Sequence, residues 1–231
     1  MLGKIITIEG LDGAGKSTQI DLMIKKLESL GLKYKYIHFP MLNKGVYGGL
    51  IAKFLRGEFG ELDDVHPTLV ALLFAEDRKE HKSKLLQWLS EGYVVILDRY
   101  VNSNIAFQCA KVATQSEKDE LKSWILDFEF NHNDLPKPDI SFFLDVPLEI
   151  IEKSLQKERT GEDRAYLNGK EDIHESSFEL QRNVYQEYNV LLDEQADFHR
   201  IDCFSDQKEW LSPEDIHNVI FSKINEMSSA D

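Results

Sequence analysis

The sequence predicts an α/β fold: a three-layer sandwich with helices on both faces of a five-stranded parallel sheet, plus a flexible charged lid. Three observations carry this. Short apolar runs alternate with longer segments of helical periodicity, the pattern of repeated βα units. The run YVVIL at 93–97 is apolar throughout, as a strand covered on both faces must be. Residues 157–175 break the alternation, being densely charged, with two glycines and no apolar period.

The elements follow in order. KIITIE at 4–9 reads as the first strand. A helix over 17–30 places Ile20, Met23, Ile24 and Leu27 at helical spacing and stops at Gly31. The second strand, 34–39, ends at Pro40, which has no N–H for a ladder. A long helix over 67–89 is apolar at Leu69, Leu72, Leu73, Leu85 and Leu89. The third strand is 93–97. Helices over 102–112 and 117–131 lead to a fourth strand, ISFFLDV at 140–146, and a helix over 148–158. Past the charged stretch come a helix at 176–193, a strand at 198–203, and a last helix opened by Ser212, Pro213 and Glu214.

A chain of 231 residues that is 42% apolar suits one domain over 1–231, with a lid subregion at about 157–175. Its 27 Lys and Arg against 41 Asp and Glu leave a formal charge of −14. That argues against nucleic acid or anionic membrane as partners, so any phosphate must be met by a few placed cations. Cys109 and Cys203 are too few for a disulfide framework or a thiolate metal cluster. No signal-peptide pattern and no bilayer-length apolar run is visible, so a soluble, cytoplasmic protein is expected. His38 and His66 are expected to be structural or exposed.

The most specific feature is GLDGAGKS at 10–17, a match to GxxxxGK[ST] between a strand and a helix. It makes the predicted sandwich one of P-loop NTPase type. Glycines let successive N–H groups point into one concavity at a helix N-terminus. Gly10, Gly13, Ala14, Gly15, Lys16, Ser17 and Thr18 therefore form the expected triphosphate site. Lys16 supplies charge to the outer phosphates, and the Ser17 hydroxyl can ligate Mg²⁺. No Asn-Lys-x-Asp guanine reader is present, since Asn43 and Lys44 lack the acid. A small-molecule kinase fits better, and it needs an acceptor pocket and a water-excluding lid. Asp98, Arg99 and Tyr100 close a buried strand, where open α/β sheets place ligands. Asp98 can hold a water of a Mg²⁺ shell, and Arg99 can fork onto an acceptor phosphate; a structural Asp–Arg pair is the alternative. Phe74 and Arg78, four apart, share a helix face and can read a planar base, although a phenylalanine at this spacing more often belongs to a core.

EGLDGAGKSTQ, Phe39-Pro40, LLFAEDR at 72–78, LDRYVNSNIAFQ at 97–108 and LPKPD at 135–139 together closely resemble the thymidylate kinase family. The resemblance implies phosphoryl transfer from ATP to dTMP with Mg²⁺, giving ADP and dTDP, in a protein that is usually a homodimer. Phe74 would stack on thymine, and Arg78 would meet its carbonyl edge or the monophosphate. Arg99 would clamp the monophosphate. Asn104 would pair with thymine N3, with Ser103 nearby, and Phe107 would close the sugar site against a 2′-hydroxyl. Asp12 would bind the 3′-hydroxyl, and Phe39 would line the pocket before a peptide bond that is often cis in the family. With Gly13 inside the P-loop, the catalytic arginine should be Arg159 or Arg164 of the lid. Glu175 with Asp172 looks like the acidic pair near the sugar. Two positions depart from the pattern: Lys44 stands in a stretch where many relatives carry a second phosphate-clamp arginine, and His174 where some have a tyrosine. A deoxynucleoside kinase and a non-catalytic nucleotide switch are the alternatives; Arg78 and Arg99 favour a phosphate-bearing acceptor.

Overall fold

The computed structural model describes residues 3–42, 44–155, 166–167, 172–175, 177–205 and 209–229. Five strands, β1 (Lys4–Glu9), β2 (Tyr34–His38), β3 (Val94–Asp98), β4 (Ile140–Asp145) and β5 (Phe198–Asp202), form one sheet in the order β2-β3-β1-β4-β5. All neighbours are parallel; Ile6 faces Ile96 of β3 on one side and Ile140 of β4 on the other. The strand order reverses at β1, so a crevice opens beyond its carboxyl end. Ile5, Ile6 and Ile8 of β1, Val95 to Leu97 of β3 and Phe142 to Leu144 of β4 are buried, which explains their unbroken apolar runs.

The helices are α1 (Lys16–Ser29), α2 (Gly45–Leu55), α3 (Pro67–Ser90), α4 (Val101–Cys109), α5 (Gln115–Leu126), α6 (Leu148–Leu155), α7 (Phe178–Glu194) and α8 (Pro213–Ser229). They flank the sheet: α1 pairs with α8, while α4 packs against α3, α5 and α7. Among the described residues no helix is long and apolar enough to cross a membrane. Both cysteines are free and buried. His66 is exposed and caps α3, accepting from the Thr68 N–H at 3.3 Å.

Two departures from the sequence reading matter for the site. Helix α2 was not expected, because Gly45, Gly48 and Gly49 weaken helical propensity. It forms because Ile51, Phe54 and Leu55 bury against Val70 of α3 in a second small core. A Cβ at Gly48 would lie 2.1 Å from the Met41 carbonyl oxygen, so only glycine admits this close passage.

The helix predicted to run to residue 131 instead becomes a π-helical turn at Asp127–His132 after α5. That turn buries Glu129 completely. Its carboxylate takes a bidentate fork from the equally buried Arg78, at 2.5 Å from Nε and 2.6 Å from Nη2.

The charged stretch, expected to form a lid, is described in part. Leu167, Asp172 and His174 are buried, and the Ile173 N–H donates to Leu55 O at 2.9 Å. Arg159 and Arg164 lie outside the described residues.

The fork on Glu129 ties α3 to the π-helical turn, and removing one partner would strand a buried guanidinium. We expect Glu129→Ala to lower unfolding free energy by about 3–5 kcal/mol, read as a reduced urea midpoint. An effect below about 1 kcal/mol, typical of an exposed pair, would contradict the structural role of this fork.

Candidate active site

A cleft of about 700 Å³ opens at the carboxyl edge of the sheet. Its walls come from the loop before α1, the segment after β2, the first half of α3, the β3–α4 junction and residues 172–175.

The loop between β1 and α1 curls because Gly13 and Gly15 take left-handed φ angles of 84° and 89°. Gly15 begins α1, and among the described residues no side chain caps that helix end. Such an end presents N–H groups and a positive dipole to an anion. Lys16 is buried, its Nζ donating to Gly10 O at 3.2 Å and Leu11 O at 3.0 Å. Burial and the neighbouring Arg99 draw its pKa below the ordinary lysine value. Ser17 and Thr18 are exposed on the cleft wall. Gly10 and Ala14 are not on that wall: Ala14 is buried, and a Cβ at Gly10 would meet Leu144 O at 3.3 Å.

Asp98 ends β3, buried, with Oδ2 3.0 Å from His38 Nδ1. Burial would raise its pKa, but the His38 hydrogen bond and the Lys16 charge outweigh this and hold it low, so the group is ionised. Its Oδ1 is buried and has no hydrogen-bond partner among the described residues. That oxygen and the Ser17 hydroxyl are hard donors of the type Mg²⁺ takes, usually alongside waters and substrate phosphates. His38, expected to be structural or exposed, is exposed on the cleft wall, where it holds Asp98.

Arg99 occupies a left-handed backbone conformation, φ 65°, rare for a residue with a side chain. Its fork is aimed by two partners: Nη2 donates to Asp12 Oδ1 at 2.8 Å, and Nη1 to Ser103 Oγ at 3.3 Å. The guanidinium lies over Phe107, 5.2 Å from the ring centre. Burial would lower its pKa, but Asp12, Tyr188, Asp98 and Glu9 raise it above the usual arginine value. Beneath sits Glu9, fully buried at the end of β1. It accepts from the Ser103 hydroxyl, from Tyr188 Oη at 3.1 Å and from the Tyr100 N–H at 2.8 Å. Burial pushes the Glu9 pKa up, with the Ser103 hydrogen bond opposing.

Phe74, half-buried on α3, and Arg78 one turn later both line the cleft. Asn104 on α4 donates through Nδ2 to Ala71 O at 3.0 Å and Glu129 Oε1 at 2.8 Å. Those donors fix the amide's orientation, and its Oδ1 is buried with no partner among the described residues. Phe39, buried before a cis bond to Pro40, and Phe107 complete the apolar wall. Asp172, His174, Glu175 and Lys44 also line the cleft. Burial pushes the Asp172 carboxyl up to about 6, and it accepts from Tyr166 Oη at 2.6 Å.

Thus Asp12, Ser17, Phe39, Phe74, Arg78, Asp98, Arg99, Ser103, Asn104, Phe107 and Glu175 line one cleft. Sequence reasoning missed Glu9, Glu129 and Tyr188, the groups that hold the expected ones. An acid set between two phenylalanines, Phe128 and Phe130, was the available signal for Glu129.

A model of the thymidylate kinase family matches residues 8–212. The thymidylate kinase of Mycobacterium tuberculosis is 34% identical over 190 residues, covering 81% of this chain and 85% of that protein. A probable thymidylate kinase of Thermococcus kodakarensis is 32% identical over 224 residues, 95% of this chain and 96% of its own. The solved structure of thymidylate kinase from Candida albicans shares the fold with a TM-score of 0.72 at 24% identity, covering 100% of this chain and 94% of that one. With the phosphate loop, the fork-bearing strand end and the cleft wall of α3 and α4 all inside the matched region, the chain belongs to the thymidylate kinase family.

Proposed function

We propose a division of labour within the cleft for the phosphorylation of dTMP by ATP. The chain is an ATP-dependent thymidylate kinase, producing ADP and dTDP on the way to dTTP. The observation that carries the residue assignment is the Asn104 Oδ1, a buried acceptor in the wall that Phe74 and Arg78 also line. Thymine N3–H is a donor, and a buried acceptor left unmatched costs free energy. Phe74 offers a stacking face and Arg78 a charge at the base edge.

Arg99 takes the monophosphate, its fork already aimed by Asp12 and Ser103. Asp12 and the Asp172–Glu175 pair face the sugar, and Phe107 closes the side where a ribose would carry its 2′-hydroxyl. Lys16 and the loop N–H groups of Gly13 to Thr18 hold the ATP phosphates. Ser17, and Asp98 through water, would hold Mg²⁺, which neutralises charge between the outer phosphates. An oxygen of the dTMP phosphate attacks the γ-phosphorus; the new P–O bond forms as the bond to the ADP oxygen breaks, and ADP keeps that electron pair. The chain's own part is alignment and fixed positive charge. Arg159 or Arg164 supplies the remaining cation in this reading. A single kinase domain over residues 1–231 is supported by the main core, which joins all five strands. A homodimer fits the exposed Leu69 and Leu86 of α3.

Release of ADP from ATP, Mg²⁺ and protein should depend on added dTMP; turnover with thymidine but not dTMP would overturn the assignment. We expect Asn104→Ala to raise KM for dTMP about tenfold or more while leaving KM for ATP near its original value. An effect confined to ATP would contradict base reading. Single Arg159→Ala and Arg164→Ala variants should show a loss of kcat of about 10³-fold at one of the two positions; if both are harmless, the cation comes from elsewhere.

A further inference from the structure

Lys111, just after α4, touches none of the groups assigned to phosphate. Its ammonium is spent three ways: on Gln108 Oε1 at 3.1 Å, on His174 Nε2 at 2.9 Å, and over the Phe54 ring at 5.1 Å. His174 is walled by three aromatic rings. It stacks on Phe107 at 5.3 Å and 21°, lies nearly parallel to Phe74 at 6.5 Å and 10°, and meets Phe54 edge-on at 5.4 Å and 77°. Its backbone is pinned as well. The N–H donates to Asp172 Oδ1 at 2.7 Å, and the carbonyl accepts from Gln181 Nε2 at 3.0 Å. An ammonium can only donate, so Nε2 accepts and the ring proton sits on Nδ1.

We infer that Lys111 is a positioning residue for the nucleoside half of the acceptor, fixing the plane and tautomer of the His174 ring that spans Phe74 and Phe107. The inference rests on the reading of this cleft as the dTMP site. The same wall carries both the proposed base platform and the proposed sugar barrier, so a ring that rotates between them disturbs both. Lys111 acts on substrate through His174 and has no part in the chemistry of transfer.

The charges around the pair support this. Besides Lys111, Asp12 and Arg99 face the imidazole, and Asp63 and Asp172 face the ammonium. Burial, aided by Lys111, holds His174 neutral, well below its ordinary range. Burial also draws the Lys111 pKa down to about 7. A lowered lysine pKa means the ammonium is present below about 7 and is lost as pH rises through it. The fixed tautomer is lost with it.

The test is steady-state kinetics with dTMP for the wild type, Lys111→Met, His174→Phe and the double variant, from about pH 6 to about pH 9. MgATP affinity serves as the control for an intact fold. Lys111→Met should raise KM for dTMP about tenfold and change kcat by less than about twofold. The double variant should be no worse than His174→Phe alone, because the lysine then has no ring to hold. In the wild type KM for dTMP should climb above about pH 7; this rise should vanish in both single variants. Additive losses in the double variant, a fall confined to kcat, or a pH rise that persists in His174→Phe would each overturn the inference. The last criterion stands even if Lys111→Met loses MgATP binding. A wild type that fails to use dTMP would instead refute the functional reading, whereas a competent wild type matched by Lys111→Met would refute this inference alone.

Discussion

Permanent positive charge buried inside an acidic protein is the constraint from which the rest of the site follows. A guanidinium taken out of water is costly unless each is met by a carboxylate or another acceptor. Arg78 is met by Glu129 and Arg99 by Asp12, while Lys16 rests on two backbone carbonyls. These partners do more than neutralise. They set the direction of each donor before a substrate arrives, so little reorganisation remains when charge moves. The negative groups are also graded by depth, with Glu9 and Glu129 fully buried beneath the forks and Asp12 at the cleft surface.

The sheet places these groups with few moving parts. Since β1 lies between β3 and β4, the phosphate loop after β1 and the Asp98–Arg99 turn after β3 leave neighbouring strand ends. The Arg99 N–H donates to Ile8 O at 3.0 Å, extending the ladder one step past the strand itself. Donor and acceptor halves of the cleft therefore share one rigid edge. The acceptor wall is then built outward by α3 and α4, with Glu129 reaching both Arg78 and Asn104.

Much of this was readable from the chain. The five strands fall within about one residue of where the sequence placed them; the three central ones, buried along nearly their whole length, leave the clearest apolar runs. The phosphate loop was equally plain, since its glycines, lysine and serine all fall within the eight residues 10–17. Other parts left no such record. Glu9, Glu129 and Tyr188 act through contacts spanning 25 to 179 positions along the chain, which local pattern does not encode. The π-helical turn has the same apolar spacing as an ordinary helix until its backbone is seen. Helix α2 was hidden by its glycines, of which Gly48 answers to the passing backbone of Met41. The charged composition of 157–175 suggested a lid, but not that Asp172 and His174 would be buried against Tyr166 and Lys111.

Gly48 and Gly49 stand side by side in α2, and their fates under mutation should diverge. A methyl group at Gly49 would meet nothing within 4 Å, whereas at Gly48 it would strike the backbone of Met41. The Met41 N–H is in turn held by Asp77 Oδ2 at 3.0 Å, so that strand of chain has little room to yield. Drift toward alanine, which would strengthen the helix, is open to one neighbour and closed to the other. Descendants of this sequence can firm up α2 from its outer face, but its inner face is held to the smallest residue for as long as the cleft keeps its shape.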